Sequence, residues 1–268
     1  MPTGSDGILT ATWRPEAAAV SLEVLGSAWP SAVVSVRIER RVAGESVVPV
    51  RGADRVPAVG GYWVGTDHEQ PLESSVTYRA IGYTAAGAQV LSAMVTVSTS
   101  GAPHGIWLKA AGQPNLTVRT VGRGADGPTS ETQGGVYDIV GGVGVAVASA
   151  AGVNADRLTI TIGSLDAAQE QSIRAVLSAH RVLLIQDCGH DVIPSGWYFV
   201  SSVSRAPRDA RYLAPGRNHT LALTRTGVPA GAGQGVVGWS YAAVAATYAT
   251  YAALKAAKAT YFDVARGA

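Results

Sequence analysis

The sequence predicts a mainly β protein with an α+β region: a β-sandwich, then an antiparallel sheet with one packed helix, then short C-terminal helices. Three observations lead to this fold class. Apolar residues alternate with other residues in short runs over 11–100 and again over 116–226, as they do on half-buried strands. The period changes once to that of a helix, over residues 165–180. A unit of ten residues recurs in the last thirty residues.

Composition bounds the possible functions. The chain has 268 residues, of which 47% are hydrophobic and 15% charged, so we expect globular modules and no disordered protein. The net charge is only +2 and the arginines are scattered, so we expect no DNA or RNA partner. The single cysteine, Cys188, excludes an internal disulfide. We find no secretory signal and no apolar run of about 20 residues, which predicts a soluble protein without membrane insertion.

Residues 11–100 predict a β-sandwich, preceded by a flexible N-terminus over residues 1–10. Seven short strands separated by turn residues fit an antiparallel sandwich of this length. The alternating apolar positions that carry this prediction include Val20, Leu22, Val24, Val34, Val36, Ile38, Tyr78, Ala80 and the run from Val90 to Val97.

Residues 101–230 predict an α+β domain that begins with the turn-rich segment 101–105. Strands are expected at 116–121, 136–140, 143–147, 158–162, 182–185, 197–203 and 220–226. A helix is expected from Leu165 to His180, with Ser164 or Asp166 as its N-cap. The edges of these strands lack guarding lysines, which predicts that the domain associates with itself or with a neighbour.

Residues 231–268 predict a Gly-rich linker followed by helical repeats of the type Thr-Tyr-Ala-Ala-Leu. A step of ten residues does not match the period of one long helix, so three short helices are favoured, opened by Ser240, Thr250 and Thr260. Helices this short need a surface to pack on. The expected interface residues are Trp239, Tyr241, Tyr251, Leu254, Tyr261 and Phe262. The alternative is a tail that only covers its own domain.

Three short motifs are weak candidates for chemistry. Residues 122–127 match a dinucleotide fingerprint, but the residues that follow are too few and too polar for the required crossover helix, so a hairpin loop is favoured. Cys188, His190 and Asp191 lie too close in sequence to form a catalytic set, and a polar turn is favoured. The run Asp67-His68-Glu69 before Pro71 is typical turn material. No catalytic, cofactor-binding or metal-binding residue is therefore predicted.

Trp63 is the one tryptophan singled out for binding. It stands among Gly60, Gly61, Tyr62 and Gly65. An exposed aromatic ring there would pack on the apolar face of a sugar, which makes Trp63 a possible glycan contact. Large aromatic residues more often form cores or interfaces.

Residues 72–80, which read Leu-Glu-Ser-Ser-Val-Thr-Tyr-Arg-Ala, resemble the strand E to strand F corner of fibronectin type III domains. In that family a leucine packs below the corner and a tyrosine closes it. Trp13 lies near the position of the family's strand B tryptophan, whereas Trp29 has no assigned position. The resemblance implies that the sandwich is fibronectin type III-like.

Residues 105–268 resemble minor tail proteins of long-tailed, siphovirus-type actinobacterial phages. The order of features carries this resemblance: Ile106 to Lys109, the helix from Asp166 to His180, the strand Val182 to Gln186, Trp197 to Val200, and the C-terminal repeats. The family has tryptophan and aspartate in these repeats, whereas here tyrosines replace tryptophan and only Asp263 keeps the acid.

This second resemblance implies a non-enzymatic structural component of the tail tip or baseplate, located in the virion. It would assemble with itself or with neighbouring tail proteins as a ring or collar, and would display the sandwich for contact with the host surface. Two alternatives stay open. One is a carbohydrate-binding adhesin of the bacterial cell surface, and the other is a cell-wall-degrading enzyme.

Overall fold

The computed structural model is mainly β with few helices. It describes residues 3–25, 29–30, 32–58, 62–126, 129–131, 134–138, 145–149, 155–189, 193–207, 216–229 and 250–257. The strands fall into a first module, which ends at Ser98, and a second module, which begins at Gly105.

The first module is built from two antiparallel sheets. Its described strands are β1 Thr3–Ser5, β2 Leu9–Arg14, β3 Ala19–Val24, β4 Ser35–Val42, β5 Val48–Pro49, β6 Val56–Pro57, β7 Trp63–Asp67, β8 Ser75–Tyr83 and β9 Gln89–Ser98. One sheet has the order β1-β2-β3-β7 and the other has β5-β4-β8-β9, with β6 also paired to β4. Trp13, Leu22, Ile38 and Tyr78 are fully buried between the two sheets.

The predicted flexible N-terminus is wrong for residues 3–10. Thr3–Ser5 pairs with residues 10–12 of β2, and β2 itself starts at Leu9. The Asp6 carboxylate accepts a hydrogen bond from the Leu9 amide at 2.8 Å and another from the Met94 amide at 2.9 Å. β1 is a polar edge strand that is held by backbone pairing. Its sequence therefore has no apolar alternation from which a strand could be predicted.

The second module is a closed antiparallel barrel. Its described elements are β10 Gly105–Ala110, β11 Thr117–Ala125, β12 Thr129–Glu131, β13 Gly134–Asp138, β14 Val145–Ser149, β15 Ala155–Gly163, α1 Ala167–Ala179, β16 Val182–Cys188, β17 Gly196–Pro207 and β18 Arg217–Thr226. The order β11-β10-β16-β17-β18-β15 closes into a ring because β11 also pairs with β15. β12 extends β15, and β13 pairs with β14.

Barrel closure corrects the predicted open sheet. Val121 pairs with Gly163 and Ala125 pairs with Ile160, so these six strands have no open edge. The edges of these six strands are therefore paired within the molecule and do not support the predicted self-association. Alternation along one strand cannot reveal this, since the closing pair joins residues about forty positions apart in the chain.

The helix α1 lies between β15 and β16 and packs on the barrel. Asp166 is its N-cap and accepts a hydrogen bond from the Gln169 amide at 2.8 Å, which is one of the two predicted caps. Ile173, Val176 and Leu177 are buried and join the apolar core of the barrel. Among the described residues, no helix is both long and apolar enough to cross a membrane.

The glycine-rich motif at 122–127 lies mostly in β11. Gly122 and Gly124 flank a register shift in the pairing with β15, which is a β-bulge. The favoured hairpin loop is therefore wrong for these two glycines, and Gly127 lies outside the described residues. A bulge explains the glycines without a ligand.

One of the three predicted C-terminal helical units lies within the described residues. α2 spans Tyr251–Ala257, and the Thr250 hydroxyl accepts a hydrogen bond from the Ala253 amide at 3.2 Å, as expected of an N-cap. Leu254 in this helix is half-buried. Trp239, Tyr241, Tyr261 and Phe262 lie outside the described residues, so their interface role stays a prediction.

Candidate functional site at the junction of the two modules

Buried polar side chains gather where β7 ends, at the border between the two modules. Asp67, His68 and Gln70 each expose 2% or less of their surface. Lys109 of the barrel strand β10 is fully buried beside them. Burying charged groups is costly unless each is paired or hydrogen-bonded, so the contacts of this cluster define its role.

Asp67 is the anchor of the cluster on the sandwich side. Its carboxylate accepts hydrogen bonds from one Arg40 guanidinium nitrogen at 2.8 and 2.9 Å, and from the Tyr78 hydroxyl at 3.0 Å. Burial by itself raises the pKa of Asp67, but the charge and hydrogen bonds of Arg40 and the Glu69 amide outweigh burial and lower it. Asp67 is therefore ionised, and it joins β7 to β4 and β8 across the sandwich.

Lys109 links the barrel to the sandwich. Its ammonium group donates to the Ala18 carbonyl at 2.7 Å and to the His68 carbonyl at 2.8 Å. Burial lowers the pKa of Lys109 to about 7, although attraction to Asp67 acts in the opposite direction. One side chain of β10 thus holds two separate loops of the sandwich.

Two more hydrogen bonds cross the junction. His68 Nε2 lies 3.0 Å from the Ala110 carbonyl, which can only accept, so Nε2 carries the proton and donates. Gln186 of β16 donates to the Gln70 carbonyl at 2.8 Å. Burial, together with the charge of Lys109, lowers the pKa of His68, so its ring is neutral near pH 7.

Arg51 closes the rim of the junction. It forms an ion pair with Glu69 and donates to the Pro229 carbonyl at 3.2 Å. Its guanidinium also lies 5.8 Å from the centre of the Trp197 ring of β17. Pro229 belongs to the segment that leaves the barrel after β18, so Arg51 ties the start of the C-terminal region to the sandwich.

Cys188 is part of the same junction, which corrects the predicted polar turn. It is the last residue of β16 and packs, together with Trp107, in the apolar core of the sandwich. Its thiol lies 3.4 Å from the Ala102 carbonyl, and burial raises its pKa. A buried thiol with a raised pKa is a poor nucleophile. His190 and Asp191 lie outside the described residues.

The junction connects the two modules through buried hydrogen bonds. Its titratable groups are shielded from solvent and bonded to backbone or to each other, so no substrate reaches Lys109 or Asp67 in this arrangement. The prediction that residues 67–69 are ordinary turn material is wrong, because the barrel covers this loop and the loop then needs internal hydrogen-bond partners. One residue could have indicated this contact from the sequence. Lys109 stands in the mainly apolar run Trp107-Leu108-Lys109-Ala110, and every residue of this strand is buried.

A second buried polar cluster lies between α1 and the barrel strands β17 and β18. One Glu170 carboxylate oxygen accepts from the Ser164 hydroxyl at 3.1 Å and contacts His219 Nε2 at 2.8 Å. The other oxygen pairs with Arg205 at 2.9 Å. Burial raises the pKa of Glu170, but the hydrogen bonds from His219 and Ser164 and the nearby charges lower it overall.

This second cluster does not have the geometry of a catalytic triad. A nucleophilic serine needs a base on its hydroxyl, with the acid orienting that base. Here Ser164 and His219 both bind the acid instead. The cluster fastens α1 to β17 and β18. Within the described parts of the chain, no group of three or more His, Cys, Asp or Glu residues is placed to hold a metal ion.

Trp63, the proposed glycan contact, packs against the core of the sandwich. It pairs with Val24 on β3, and it is half-buried among residues that contact the core. A side chain at Gly65 would collide with its ring, which shows that the indole lies over this glycine. Only part of the ring is left for a ligand, and its glycan role stays a prediction.

Comparisons with known proteins do not assign the chain to a family. No model of a known protein family matches it, and no curated protein sequence is significantly similar to it.

Proposed function

We propose that this chain is a structural component of a phage tail tip or baseplate, in which the barrel joins the particle and the sandwich is held outward for contact with the host surface. The observation that carries the proposal is the buried junction. Its charged and neutral hydrogen bonds hold two modules in one orientation, which suits a part that transmits a fixed geometry within a larger assembly.

Three further features support the proposal. The sheet orders β2-β3-β7 and β5-β4-β8-β9 are compatible with the expected fibronectin type III-like sandwich. The resemblance of residues 105–268 to phage minor tail proteins covers the barrel, α1 and the C-terminal repeats. The contact between Arg51 and Pro229 fixes where the C-terminal region leaves the junction, and that region would then reach a second copy or a neighbouring tail protein.

Incorporation into particles tests this function. The substitution of Tyr241, Tyr251 and Tyr261 by serine removes the aromatic anchors of the repeats, whereas their substitution by phenylalanine keeps them and is the matched control. We expect the serine variant to fold and to be depleted from purified particles, and the phenylalanine variant to be incorporated. Immunogold labelling of particles should locate the protein at the tail tip. Absence of the protein from particles, or normal incorporation of the serine variant, would overturn this model.

The alternative function, a carbohydrate-binding adhesin, is supported by a surface cleft of the sandwich and not by Trp63. A cleft on the outer face of the β4-β8-β9 sheet is lined by exposed basic, hydroxyl and apolar side chains. This cleft belongs equally to a tail protein that contacts its host.

A further inference from the structure

The outer face of the sandwich contains a cleft of about 540 Å³. The central strand β8 forms its floor with Thr77 and Arg79, and the β4–β5 hairpin and β9 form its walls. A volume of this size falls within the range of small-ligand sites in proteins. The side chains on one face of a sheet stand side by side and form a nearly flat surface. Here the β4–β5 hairpin and β9 rise beside β8 and make a cleft.

Two guanidinium groups in the cleft have no partner. Arg41 is exposed and Arg79 is half-buried, and neither forms an ion pair or a hydrogen bond with the described residues. Arg41 lies opposite Thr77, and Arg79 is the next residue of β8 on the same face, so Arg41 and Arg79 are diagonal neighbours about 7–8 Å apart. Both side chains can therefore reach one ligand.

The other charges that line the cleft are already neutralised. Glu39 is paired with Arg37 at 3.0 Å, and Arg40 is paired with Asp67 at 2.8 Å. Arg41 and Arg79 thus give the cleft a net positive charge. Guanidinium groups bind phosphate and carboxylate groups through paired hydrogen bonds, so charge complementarity selects an anionic ligand.

The remaining lining residues select the kind of anion. Met94 is 61% exposed and Val47 is 51% exposed, and among the large hydrophobic residues of the described chain only Val228, at 65%, is more exposed than these two. The hydroxyls of Thr77 and Thr96 bond to each other at 2.9 Å and keep free acceptor positions. The lining combines apolar surface, hydroxyls and cations, and it contains no aromatic ring on which a nucleic-acid base would stack.

We propose that this cleft binds an anionic polysaccharide. The sugar C–H faces pack on Met94 and Val47, the sugar hydroxyls bond to Thr77 and Thr96, and Arg41 and Arg79 hold the acidic groups. The biological role of the site rests on the proposed contact with the host surface. The site lies on the opposite sheet from Trp63.

Binding to the isolated protein tests the site directly. The probes are fluorescent alginate oligosaccharides, which carry carboxylates, and phosphomannan oligosaccharides, which carry phosphates. Dextran serves as the neutral sugar and poly-glutamate as the anionic polymer without sugar. We expect anisotropy to report binding to at least one acidic saccharide, weakening with added salt, and little binding to either control polymer.

Matched variants then place the binding in the cleft. The double change Arg41→Gln and Arg79→Gln should weaken binding by at least about tenfold, because it removes two charge-assisted contacts. Met94→Ala should weaken it by a smaller factor. The control change Arg123→Gln and Arg174→Gln removes the same charge from exposed positions on the barrel and should leave the affinity unchanged.

Three results would overturn the proposal: binding of neither acidic saccharide, equal binding of poly-glutamate, or equal losses in the cleft and barrel variants. Circular dichroism of each variant shows whether it is folded, and Arg79→Lys, which keeps the charge, should recover part of the affinity. Failure of the protein to enter particles would overturn the proposed function but would leave this binding result intact.

Discussion

The two buried carboxylates among the described residues, Asp67 in the sandwich and Glu170 in the barrel, have similar partners but different surroundings. Each binds an arginine, and each has a lowered pKa despite burial. The Arg40 side chain that pairs with Asp67 is only 15% exposed, whereas the Arg205 side chain that pairs with Glu170 is 45% exposed. If the carboxylate were removed, water could solvate the guanidinium of Arg205, whereas water has little access to that of Arg40.

The difference follows from the position of each cluster. Glu170 is covered within the barrel module, where its partners are Ser164, Arg205 of β17 and His219 of β18. Asp67 adjoins a loop that is covered only when the barrel meets the sandwich. The junction is therefore the place where loss of one polar group should most reduce the stability of the whole chain.

The largest effect is expected from Asp67→Asn. The change removes the charge that compensates buried Arg40, and breaking a buried pair on one side costs about 3–5 kcal/mol. Urea denaturation at pH 7 should show this loss. The control is Asp54→Asn, since Asp54 is 60% exposed and lies 3.6 Å from Arg37, and its loss should stay below about 1 kcal/mol.

Acid provides a second check on Asp67. Its folded pKa is lowered, so its contribution is fully present above the ordinary pKa of 3.8 and is lost as the pH falls through the folded pKa. The wild-type protein should therefore lose its advantage over Asp67→Asn only in strongly acidic solution. A difference under about 1 kcal/mol at pH 7 would contradict the role given to Asp67.

The next effect concerns the pH dependence of stability and Lys109. Its folded pKa of about 7 lies below the ordinary value of 10.5, so the unfolded chain binds more protons between these values. The free energy of unfolding should therefore rise with pH from about 7 toward 10, by at most about 1.4 kcal/mol per pH unit. Above pH 10, burial of Tyr78, which raises its pKa, opposes any further rise.

Lys109→Met should remove this rise in unfolding free energy, as measured by urea denaturation at several pH values. Lys255→Met is the control, because Lys255 is an exposed residue of α2. The charged groups that act on Lys109 besides its own burial are Asp67, Arg40 and Glu69. If the variant keeps the wild-type slope, another group titrates and Lys109 does not control the junction in this pH range.

These two sites show what could be predicted from the sequence. Alternating apolar residues predicted most strands, and the helical period together with Asp166 predicted α1, because these signals depend on neighbours in the chain. Barrel closure depends on the pairing of β11 with β15, which no local pattern encodes. The roles of Asp67 and Lys109 could not be predicted because they depend on contact between the two modules. The lysine within an otherwise apolar strand was the only local indication of that contact.

A smaller effect is expected from Glu170→Gln. Arg205 is well solvated, so its ion pair contributes about 0.5 kcal/mol, and the buried hydrogen bond to His219 contributes about 1 kcal/mol. Together we expect a loss of about 1–2 kcal/mol at pH 7, measured by urea denaturation. Because the folded pKa of Glu170 is lowered, this difference should shrink as the pH falls below the ordinary pKa of 4.5.

The control for Glu170 is Glu16→Gln, since Glu16 is exposed and should have almost no effect. If Glu170→Gln costs as much as Asp67→Asn, then burial of the carboxylate decides the energy and the exposure of its arginine does not. That outcome would remove the contrast between the two clusters.

The smallest effect is expected from Gln186→Leu, which tests the neutral part of the junction. Gln186 donates to the Gln70 carbonyl at 2.8 Å, but its own Oε1 is buried without a hydrogen-bond partner. Leucine removes the unsatisfied oxygen and adds apolar contact, while it leaves the Gln70 carbonyl without this donor. These opposing terms are each about 1–3 kcal/mol, so the free energy of unfolding should change by less than about 1 kcal/mol.

Gln70→Leu is the informative comparison. The Gln70 side chain donates to the Ala18 carbonyl, which Lys109 also binds. The change in unfolding free energy should therefore be similarly small while Lys109 is intact. A loss of about 3 kcal/mol in Gln186→Leu would mean that neutral hydrogen bonds, and not the buried charges, hold the two modules together.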